Sequence, residues 1–262
     1  MTPLARAVLC ASALLWSAAA FAAGAETEAL APSGTLRAAI NLGNPVLAQR
    51  SSSGGEPRGV SAELARALAQ RLGVPVRFVI FDEAGQVAAA ATKDTWDVAF
   101  LAIDPVRAAT IAYTAPYVLI EGVYAVPAAS PLDRVAAVDR PGARICVAEH
   151  SAYDLYLTRA LKQAELVRLM NGAKSEAEFL AGNCEAIAGV KQPVQGLVQA
   201  HPGLRLLPGR FMAIQQAMAV PKAHEAGLGL VRAFVEEAKA SGLVRKALDA
   251  SGQRDAEVAP PE

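Results

Sequence analysis

Short apolar runs alternate with segments of helical periodicity along the first half of the chain. The runs at 35–40, 76–81 and 96–102 are typical of strands, and the last is mostly apolar, as in a strand buried on both faces. The segment 59–73 has a valine or leucine at every fourth position, which predicts an amphipathic helix, and 84–92 predicts a second helix. This order predicts a parallel sheet with helices on both faces.

The second half of the chain repeats the pattern. Residues 143–148 are typical of a strand and 151–164 of a helix, and strands and helices continue to alternate over 165–200. Residues 224–252 are typical of one long helical segment. Two extended segments, 118–128 and 212–222, each carry Val-Pro near their ends and connect the two repeating units. They predict a two-stranded hinge between two α/β lobes. Because open α/β sheets bind ligands at the carboxyl ends of their strands, we expect a shared cleft between the lobes.

The bulk composition is that of a globular protein: of 262 residues, 53% are hydrophobic and 19% charged, and the formal net charge is zero. There is no basic stripe, so nucleic-acid binding is not expected.

Residues 1–24 combine one arginine, an apolar stretch and an Ala-Phe-Ala cleavage pattern, which is typical of a secretory signal peptide. A transmembrane anchor is the alternative, but the apolar run is short for a span of about 20 residues. We therefore expect a periplasmic protein.

Two of the three cysteines, Cys146 and Cys184, remain after removal of the signal peptide. Both lie in segments typical of strands, and an oxidising compartment permits a disulfide between them if those strands are neighbours. Two buried free thiols are the alternative. The cysteines and the three histidines show no metal-ligand spacing, and the chain has no nucleotide-binding loop. We therefore expect neither a metal nor a cofactor.

An arginine, Arg107, stands just beyond the apolar run 96–102, where the cleft is expected. It either pairs with a carboxylate such as Asp104 or holds a ligand anion, because a planar guanidinium can donate two parallel hydrogen bonds to one carboxylate. Ser151 opens the first helix of the second unit. A helix N-terminus is a ready anion site, and service as an N-cap is compatible with that role.

Three stretches, GTLRAAI, RGVSAELARALAQRLGVPVRFV and WDVAFLAIDPVRAATIAYTAPYV, resemble the bacterial extracellular solute-binding proteins, family 3. These are the periplasmic receptors of polar amino-acid ABC importers. The resemblance implies the type II periplasmic-binding-protein fold, with two lobes that close on a ligand. Lobe 1 is then 34–125 with 219–250, lobe 2 is 126–218, and 251–262 is a loose C-terminal tail. The family also implies a monomer whose partners are the membrane subunits of an ABC permease.

The same resemblance assigns roles to two residues. Arg107 falls on the family arginine that binds the ligand carboxylate, and Ser151 falls where the second lobe offers a Ser or Thr to the same carboxylate. Other positions depart from the family pattern. Asp104 replaces a threonine, and the stretch around Asn44 lacks an early aromatic residue that often stacks on the ligand. Asn44 and Asp104 are nevertheless candidate ligand contacts. His150 stands where a glycine is common.

The acidic residue that often holds an α-ammonium in the family is missing from the region around Lys191. Lys191 would repel an ammonium and attract a second anion, unless it is a surface lysine at a helix start. Asp104 or Glu121 could substitute for the missing acid, and His150 is either a loop residue or a ligand contact. The ligand is therefore either a standard α-amino acid or another small carboxylate or polar solute.

Three classes of function agree with these features. The leading hypothesis is a receptor without chemistry, which captures its ligand by lobe closure and has no catalytic residue. A dehydratase-type enzyme on the same fold is the second, because acidic groups such as Glu149 could reach the cleft. A periplasmic sensor or accessory protein is the third, since a fold alone does not determine function.

Overall fold

A computed structural model describes residues 27–51 and 54–262, and the expected signal peptide lies outside these residues. The strands are β1 (Leu36–Asn41), β2 (Val76–Phe81), β3 (Val98–Ala102), β4 (Ile111–Pro127), β5 (Arg144–Ala148), β6 (Glu165–Leu169), β7 (Ala186–Val190), β8 (Leu204–Leu206), β9 (Met212–Pro221) and β10 (Glu257–Val258). The helices are α1 (Val60–Leu72), α2 (Ala84–Ala89), α3 (Ala152–Ala160), α4 (Gly172–Leu180), α5 (Lys191–Ala200), α6 (Leu228–Ala240) and α7 (Leu243–Ala250). Across the described ranges, no helix has both the length and the apolar character needed to cross a membrane.

The strands form one continuous sheet in the order β2-β1-β3-β9-β4-β7-β5-β6, and β8 and β10 also pair with β4. The pairs β1–β2, β1–β3, β5–β6 and β5–β7 are parallel. Strands β4 and β9 run antiparallel to their neighbours and separate the two parallel groups. The expected fold, with two α/β lobes joined by two long strands, is confirmed.

The 17-residue strand β4 takes part in both lobes. Its segment 111–122 pairs with β9, whereas its end pairs with β7 and β8. Strand β9 in turn continues to β3 in the first lobe. The register of β4 against β9 shifts around Pro116, as expected of a residue that cannot donate to the ladder. The exact lobe boundaries suggested by the sequence stay a prediction.

Helix α1 has the boundaries that its periodicity predicts. Val60, Leu64 and Leu68 are buried in the core of the first lobe. The helix ends at Gly73, whose φ of 69° is the left-handed conformation that glycine adopts most easily. Burial of each aliphatic side chain stabilises the fold by about 1.5–3 kcal/mol relative to an exposed one, so this face holds α1 against the sheet.

The long helical segment expected near the C-terminus is broken in two. Helix α6 ends at Ala240, and α7 begins after Gly242, whose φ is 77°. The left-handed glycine turns the chain. Because of that turn, Val231 of α6 and Leu248 of α7 reach the same buried cluster of the first lobe.

The segment 251–262 packs on the protein and is not the loose tail that was expected. Its strand β10 pairs antiparallel with β4, and Ala256 and Ala259 are buried. Strand β7 pairs with β4 only from Gly122 onward, so the preceding part of this β4 edge is free to accept another strand.

Cys146 and Cys184 form a disulfide in the structure, with their Cα atoms 5.8 Å apart. Cys146 lies in β5, whereas Cys184 lies in the loop that leads into the neighbouring parallel strand β7, and not in a strand as its sequence suggested. Both cysteines are buried beside Phe179 of α4 and Val194 of α5. The bond therefore lies within the core of the second lobe.

Candidate functional site

Four parallel strands end at one cleft. Their last residues line it: Asn41 of β1, Ala102 of β3, Ala148 of β5 and Val190 of β7. The cleft has an empty volume of about 480 Å³, part of which is open to solvent. The other polar or charged residues that line it are Asn44, Glu83, Arg107, Ser151, Tyr153 and Gln216. This is the position at which open α/β sheets bind ligands.

Arg107 lies in a short 3₁₀ turn just after β3, and its side chain lines the cleft. The residue is only 4% exposed. Its Nη1 donates to the carbonyl oxygen of Ala102 at 3.3 Å, and its Nη2 donates to that of His150 at 2.8 Å. Its Nε has no hydrogen-bond partner among the residues that the structure describes. The guanidinium thus contacts both lobes, and its Nε is a buried donor without a partner in the described residues.

Asp104, the carboxylate that could have paired with Arg107, is occupied by other donors. Its Oδ1 accepts a hydrogen bond from the N–H of Val106 at 2.8 Å, and its Oδ2 accepts one from Nη2 of Arg159 at 2.7 Å. Arg159 lies in α3 of the second lobe. The Asp104–Arg159 ion pair therefore joins the lobes beside the cleft instead of neutralising Arg107.

The electrostatics of Arg107 favour an anionic partner. Burial lowers the pKa of Arg107, because the charged form loses solvation, and the nearby Tyr113 and Asp104 partly oppose this shift. Within the described chain both of its hydrogen bonds go to backbone carbonyls, and no carboxylate forms an ion pair with it. A buried cation without a counterion is destabilising by several kcal/mol. An anion in the cleft would offset this penalty.

Ser151 is the N-cap of α3, as its position predicts. Its Oγ accepts a hydrogen bond from the N–H of Asp154 at 3.1 Å, and the residue lines the same cleft as Arg107. His150, just before it, has a φ of 58°, a conformation that glycine adopts more easily. The His150 side chain is 66% exposed. His150 therefore serves the cleft through its backbone carbonyl and not through its imidazole.

Three amide side chains give the cleft a polar lining. Asn41, Asn44 and Gln216 are buried, and all three line the cavity. Asn44, a predicted ligand contact, uses its Oδ1 to accept a hydrogen bond from the N–H of Val46 at 3.2 Å. Because buried polar groups are normally hydrogen-bonded, these amides suit a polar ligand.

Lys191 and Glu121 do not lie in this cleft, although both were predicted ligand contacts. The antiparallel register pairs Gly122 of β4 with Val190 of β7, which brings Lys191 and Glu121 side by side. Their side chains form an ion pair, and Arg210 lies 3.5 Å from the same carboxylate. All three line a separate pocket beside the hinge. The structure therefore does not bring this pair together with the buried arginine.

Glu83 is a cleft residue that no sequence motif singled out. It is the N-cap of α2, just after β2, and it is half-buried. Burial, and to a smaller extent the charge of Asp82, raise the pKa of Glu83 to about 7. The signal that could have found it is its place after a predicted parallel strand, the same signal that marked Arg107.

Solved structures match most of the chain at low sequence identity. AbpA from Streptococcus pneumoniae, bound to L-arginine, is 19% identical with a TM-score of 0.73, covering 88% of this chain and 99% of that chain. The cysteine-binding protein from Campylobacter jejuni is 18% identical with a TM-score of 0.73, covering 86% and 92%. An ancestral amino-acid-binding protein, a precursor of cyclohexadienyl dehydratase, is 20% identical with a TM-score of 0.70, covering 86% and 98%. At these identities the likeness concerns the fold.

No curated protein sequence matches this chain significantly. The sequence profile of one family, however, matches residues 36–250, which include both lobes and the cleft. The chain therefore belongs to the bacterial extracellular solute-binding proteins, family 3.

Proposed function

We propose that the chain is a periplasmic receptor that captures a small carboxylate-bearing solute, an amino acid or a related organic anion, and presents it to the membrane subunits of an ABC importer. The observation that carries this proposal is the state of Arg107. It is a buried cation in the cleft, and within the described chain it is paired with backbone carbonyls and with no carboxylate. A ligand carboxylate would supply the counter-charge and an acceptor for Nε.

The second lobe also offers groups that suit the carboxylate end of the ligand. Ser151 and the N-terminus of α3 line the cleft. The N–H groups and the partial positive charge at a helix N-terminus favour an anion. Since Arg107 and Ser151 come from different lobes, a carboxylate that both of them hold would tie the lobes together.

Lobe closure is the expected consequence of binding. Two contacts already cross between the lobes: Arg107 donates to the carbonyl of His150, and Arg159 donates to Asp104. A ligand that touches both lobes binds the closed state more tightly than an open one, and so shifts the population toward closure. A permease could then recognise the closed surface.

The relatives support an amino-acid ligand. AbpA is a transporter's substrate-binding protein bound to L-arginine, and the Campylobacter jejuni protein is named for cysteine. Membership of the family supports an extracellular or periplasmic location, and the signal peptide expected at 1–24 agrees with secretion. The same proposal includes a monomeric receptor whose partners are the membrane subunits of an ABC permease.

Isothermal titration calorimetry of the mature chain, residues 25–262, tests the proposal. The panel consists of amino acids, dicarboxylates and keto acids, each beside the carboxamide that replaces its carboxylate. We expect at least one carboxylate to bind about tenfold or more tightly than its amide, because a charge-assisted pair with Arg107 is lost in the amide. Small-angle scattering should show a more compact protein on binding. Equal affinity for acids and amides, or no binding of either, would contradict the proposal.

A dehydratase-type enzyme is the second candidate, and Glu83 is the observation that favours it. With a pKa of about 7, Glu83 can hold a proton in the cleft at neutral pH, as a general acid must. The ancestral precursor of cyclohexadienyl dehydratase has the same fold. Formation of an aromatic product from a cyclohexadienyl substrate, followed by ultraviolet absorbance, would favour the enzyme. Binding without turnover would favour the receptor.

A further inference from the structure

We propose that the C-terminal segment 251–262 tunes the affinity of the receptor from behind the hinge, far from the ligand. Its acidic residues Asp255 and Glu257 pair with Lys191 and Arg210 of the second lobe when the cleft opens, and lose these partners when the cleft closes. The inference rests on the proposed function, because it takes ligand binding to close the lobes.

The pocket around Glu121, here termed the hinge pocket, lies on the face of the sheet opposite to the ligand cleft. It has an empty volume of about 410 Å³, part of which is open to solvent. Glu121 of β4 is paired with Ala213 of β9, and the preceding Ile120 is paired with Ile214. Paired residues share one face of a sheet, and successive residues point to opposite faces. Ile214 lines the cleft, whereas Ala213 and Glu121 line the hinge pocket, so the connecting strands separate the two cavities.

The two lobes meet at the hinge pocket along one edge of β4. Glu257 of β10 is paired with Leu119, and Val190 of β7 is paired with Gly122, a little further along the same strand. Strand β9 occupies the other edge of β4 at both positions. The ends of β10 and β7 therefore face each other across 120–121, and bending of β4 there changes the distance between them.

The C-terminal segment is attached to the first lobe. Ala256 is buried in the core of that lobe. Arg245 of α7 donates from its Nη1 to the carbonyl oxygen of Ala256 at 2.7 Å. Because these contacts flank Asp255 and Glu257, the two acidic residues should move with the first lobe when the lobes rotate.

The charges of the hinge pocket are divided between the two lobes by sign. Lys191, at the start of α5, and Arg210, just before β9, supply two cations from the second lobe. Asp255 and Glu257 supply two anions from the segment held by the first lobe. In this structure Glu121 of the connecting strand takes both cations: it forms an ion pair with Lys191 and lies 3.5 Å from Arg210.

The polar groups of the hinge pocket are incompletely paired. Asp255 and Glu257 are exposed, and within the described ranges neither takes part in an ion pair. Oε1 of Gln192, which also lines the pocket, is buried and has no hydrogen-bond partner among the described residues. Since buried polar groups are normally hydrogen-bonded, a second arrangement of the lobes can satisfy this pocket better.

Opening of the cleft is the motion that brings the two sides of the hinge pocket together. In this structure the lobes touch on the cleft side, where Arg159 donates to Asp104 at 2.7 Å. A rotation about β4 and β9 that separates these groups closes the opposite face of the hinge. Lys191 and Arg210 then approach the acidic residues of the C-terminal segment. Ion pairs made only in the open state favour that state.

The consequence is a lower affinity for the ligand. The apparent affinity of a receptor falls with the fraction of molecules in the competent state, which is here the closed one. One exposed ion pair shifts an equilibrium by about 1.4- to 5-fold, so two pairs shift it by about three- to tenfold. The segment lies beyond residues 36–250, which the family profile matches, so this device belongs to the C-terminal extension of this chain.

The first test measures affinity. The hinge variant combines Asp255→Asn with Glu257→Gln, and the matched control combines Glu28→Gln with Glu225→Gln, which removes two exposed acids outside the pocket. Calorimetry with L-arginine, L-cysteine and succinate should show that the hinge variant binds its solute about three- to tenfold more tightly than the wild type, whereas the control is unchanged. The difference should shrink in about 0.5 M NaCl, because salt screens exposed charges.

The second test measures the lobes without any ligand. Spin labels are attached at Val106→Cys and Met170→Cys, exposed positions just after β3 and β6 on the cleft side of the two lobes. The native Cys146 and Cys184 are joined in a disulfide and do not react. Double electron–electron resonance should give shorter distances for the hinge variant than for the wild type and the control.

The outcomes separate this inference from the proposed function. Unchanged label distances in the hinge variant, or an unchanged affinity for a solute that the wild type binds, overturn the inference and leave the Arg107 site standing. Equal tightening in the hinge variant and the control shows a long-range effect of charge and also overturns it. If the wild type binds no solute, the proposed function fails, and the label distances still decide whether the acidic residues hold the hinge open.

Discussion

Replacement of Arg107 by methionine should separate ligand binding from folding. Methionine keeps an unbranched apolar chain but removes the charge. In the ligand-free protein the variant loses two hydrogen bonds from a charged donor, each worth about 1.5–3 kcal/mol. It also avoids the desolvation of a buried cation, a penalty of several kcal/mol. Because these effects oppose each other, we expect only a small change in the ligand-free midpoint of thermal unfolding.

The ligand-dependent part of the stability should respond very differently. A ligand at about 100 times its Kd stabilises the wild type by about 2.7 kcal/mol. For a protein of this size, that raises Tm by about 5–10 °C. Arg107→Met should lose nearly all of this shift, because the carboxylate no longer meets a cation.

Differential scanning calorimetry with and without ligand measures both effects. The matched control is Arg134→Met: Arg134 is exposed and pairs with its neighbour Asp133 at 3.2 Å, so its removal should leave the ligand shift intact. If Arg107→Met kept the ligand shift of the wild type, the carboxylate would be bound by other groups and the reasoning from Arg107 would be wrong.

The remaining predictions concern the lobe contacts, the disulfide, the C-terminal strand and Glu83. Arg159→Ala leaves the buried Asp104 without its 2.7 Å partner; we expect urea unfolding to show a loss of about 1–3 kcal/mol, and an unchanged midpoint would contradict a role for this pair. Cys184→Ser removes a disulfide whose cysteines are 38 residues apart and should lower the free energy of unfolding by about 4 kcal/mol. The urea midpoint of this variant should no longer change when a reductant is added. Deletion of 256–262 removes β10 and should lower the free energy of unfolding by about 1–3 kcal/mol, whereas equal stability would show that the segment contributes little. The pKa of Glu83 is about 7 in the folded protein against 4.5 for the free group, so the ligand-free protein should lose stability as the pH rises between these values. Glu83→Gln should flatten the dependence of the unfolding free energy on pH in this range. An unchanged slope would show that other groups cause the dependence.

The secondary structure was largely predictable because it reflects local burial. Helix α1 and the strands on either side of it follow the apolar period closely. The break at Gly242 was missed, since a helical pattern continues on both sides of it and only the φ of 77° reveals the turn. The pairing of β10 was also missed. Its sequence has little apolar content, and it forms a strand because one edge of β4 is free.

The candidate site likewise contains some residues that the sequence predicts and others that only the structure reveals. The position of Arg107 and Ser151 at the cleft could be predicted, because each comes a few residues after an apolar run that ends there. The family pattern suggests Lys191 as a ligand contact, and Glu121 is a candidate substitute for the missing acid, but the register of β4 against β7 pairs the two with each other outside the cleft. Glu83 carries no motif, and its importance depends on burial and on the absence of a paired cation in the described chain.

The sequence by itself determined the order of strands and helices, the family and the presence of an arginine at a strand end. The order of elements and the place of the arginine follow from apolar periodicity, whereas the family follows from the match of its profile to residues 36–250. The tertiary structure decided which strand-end side chains meet in one cavity and which charges remain unpaired there. That outcome depends on the register of β4 and β9 and on the approach of the two lobes, as in the contact of Arg107 with His150. Such contacts join residues far apart in sequence, so their geometry and solvation are not encoded in any local pattern.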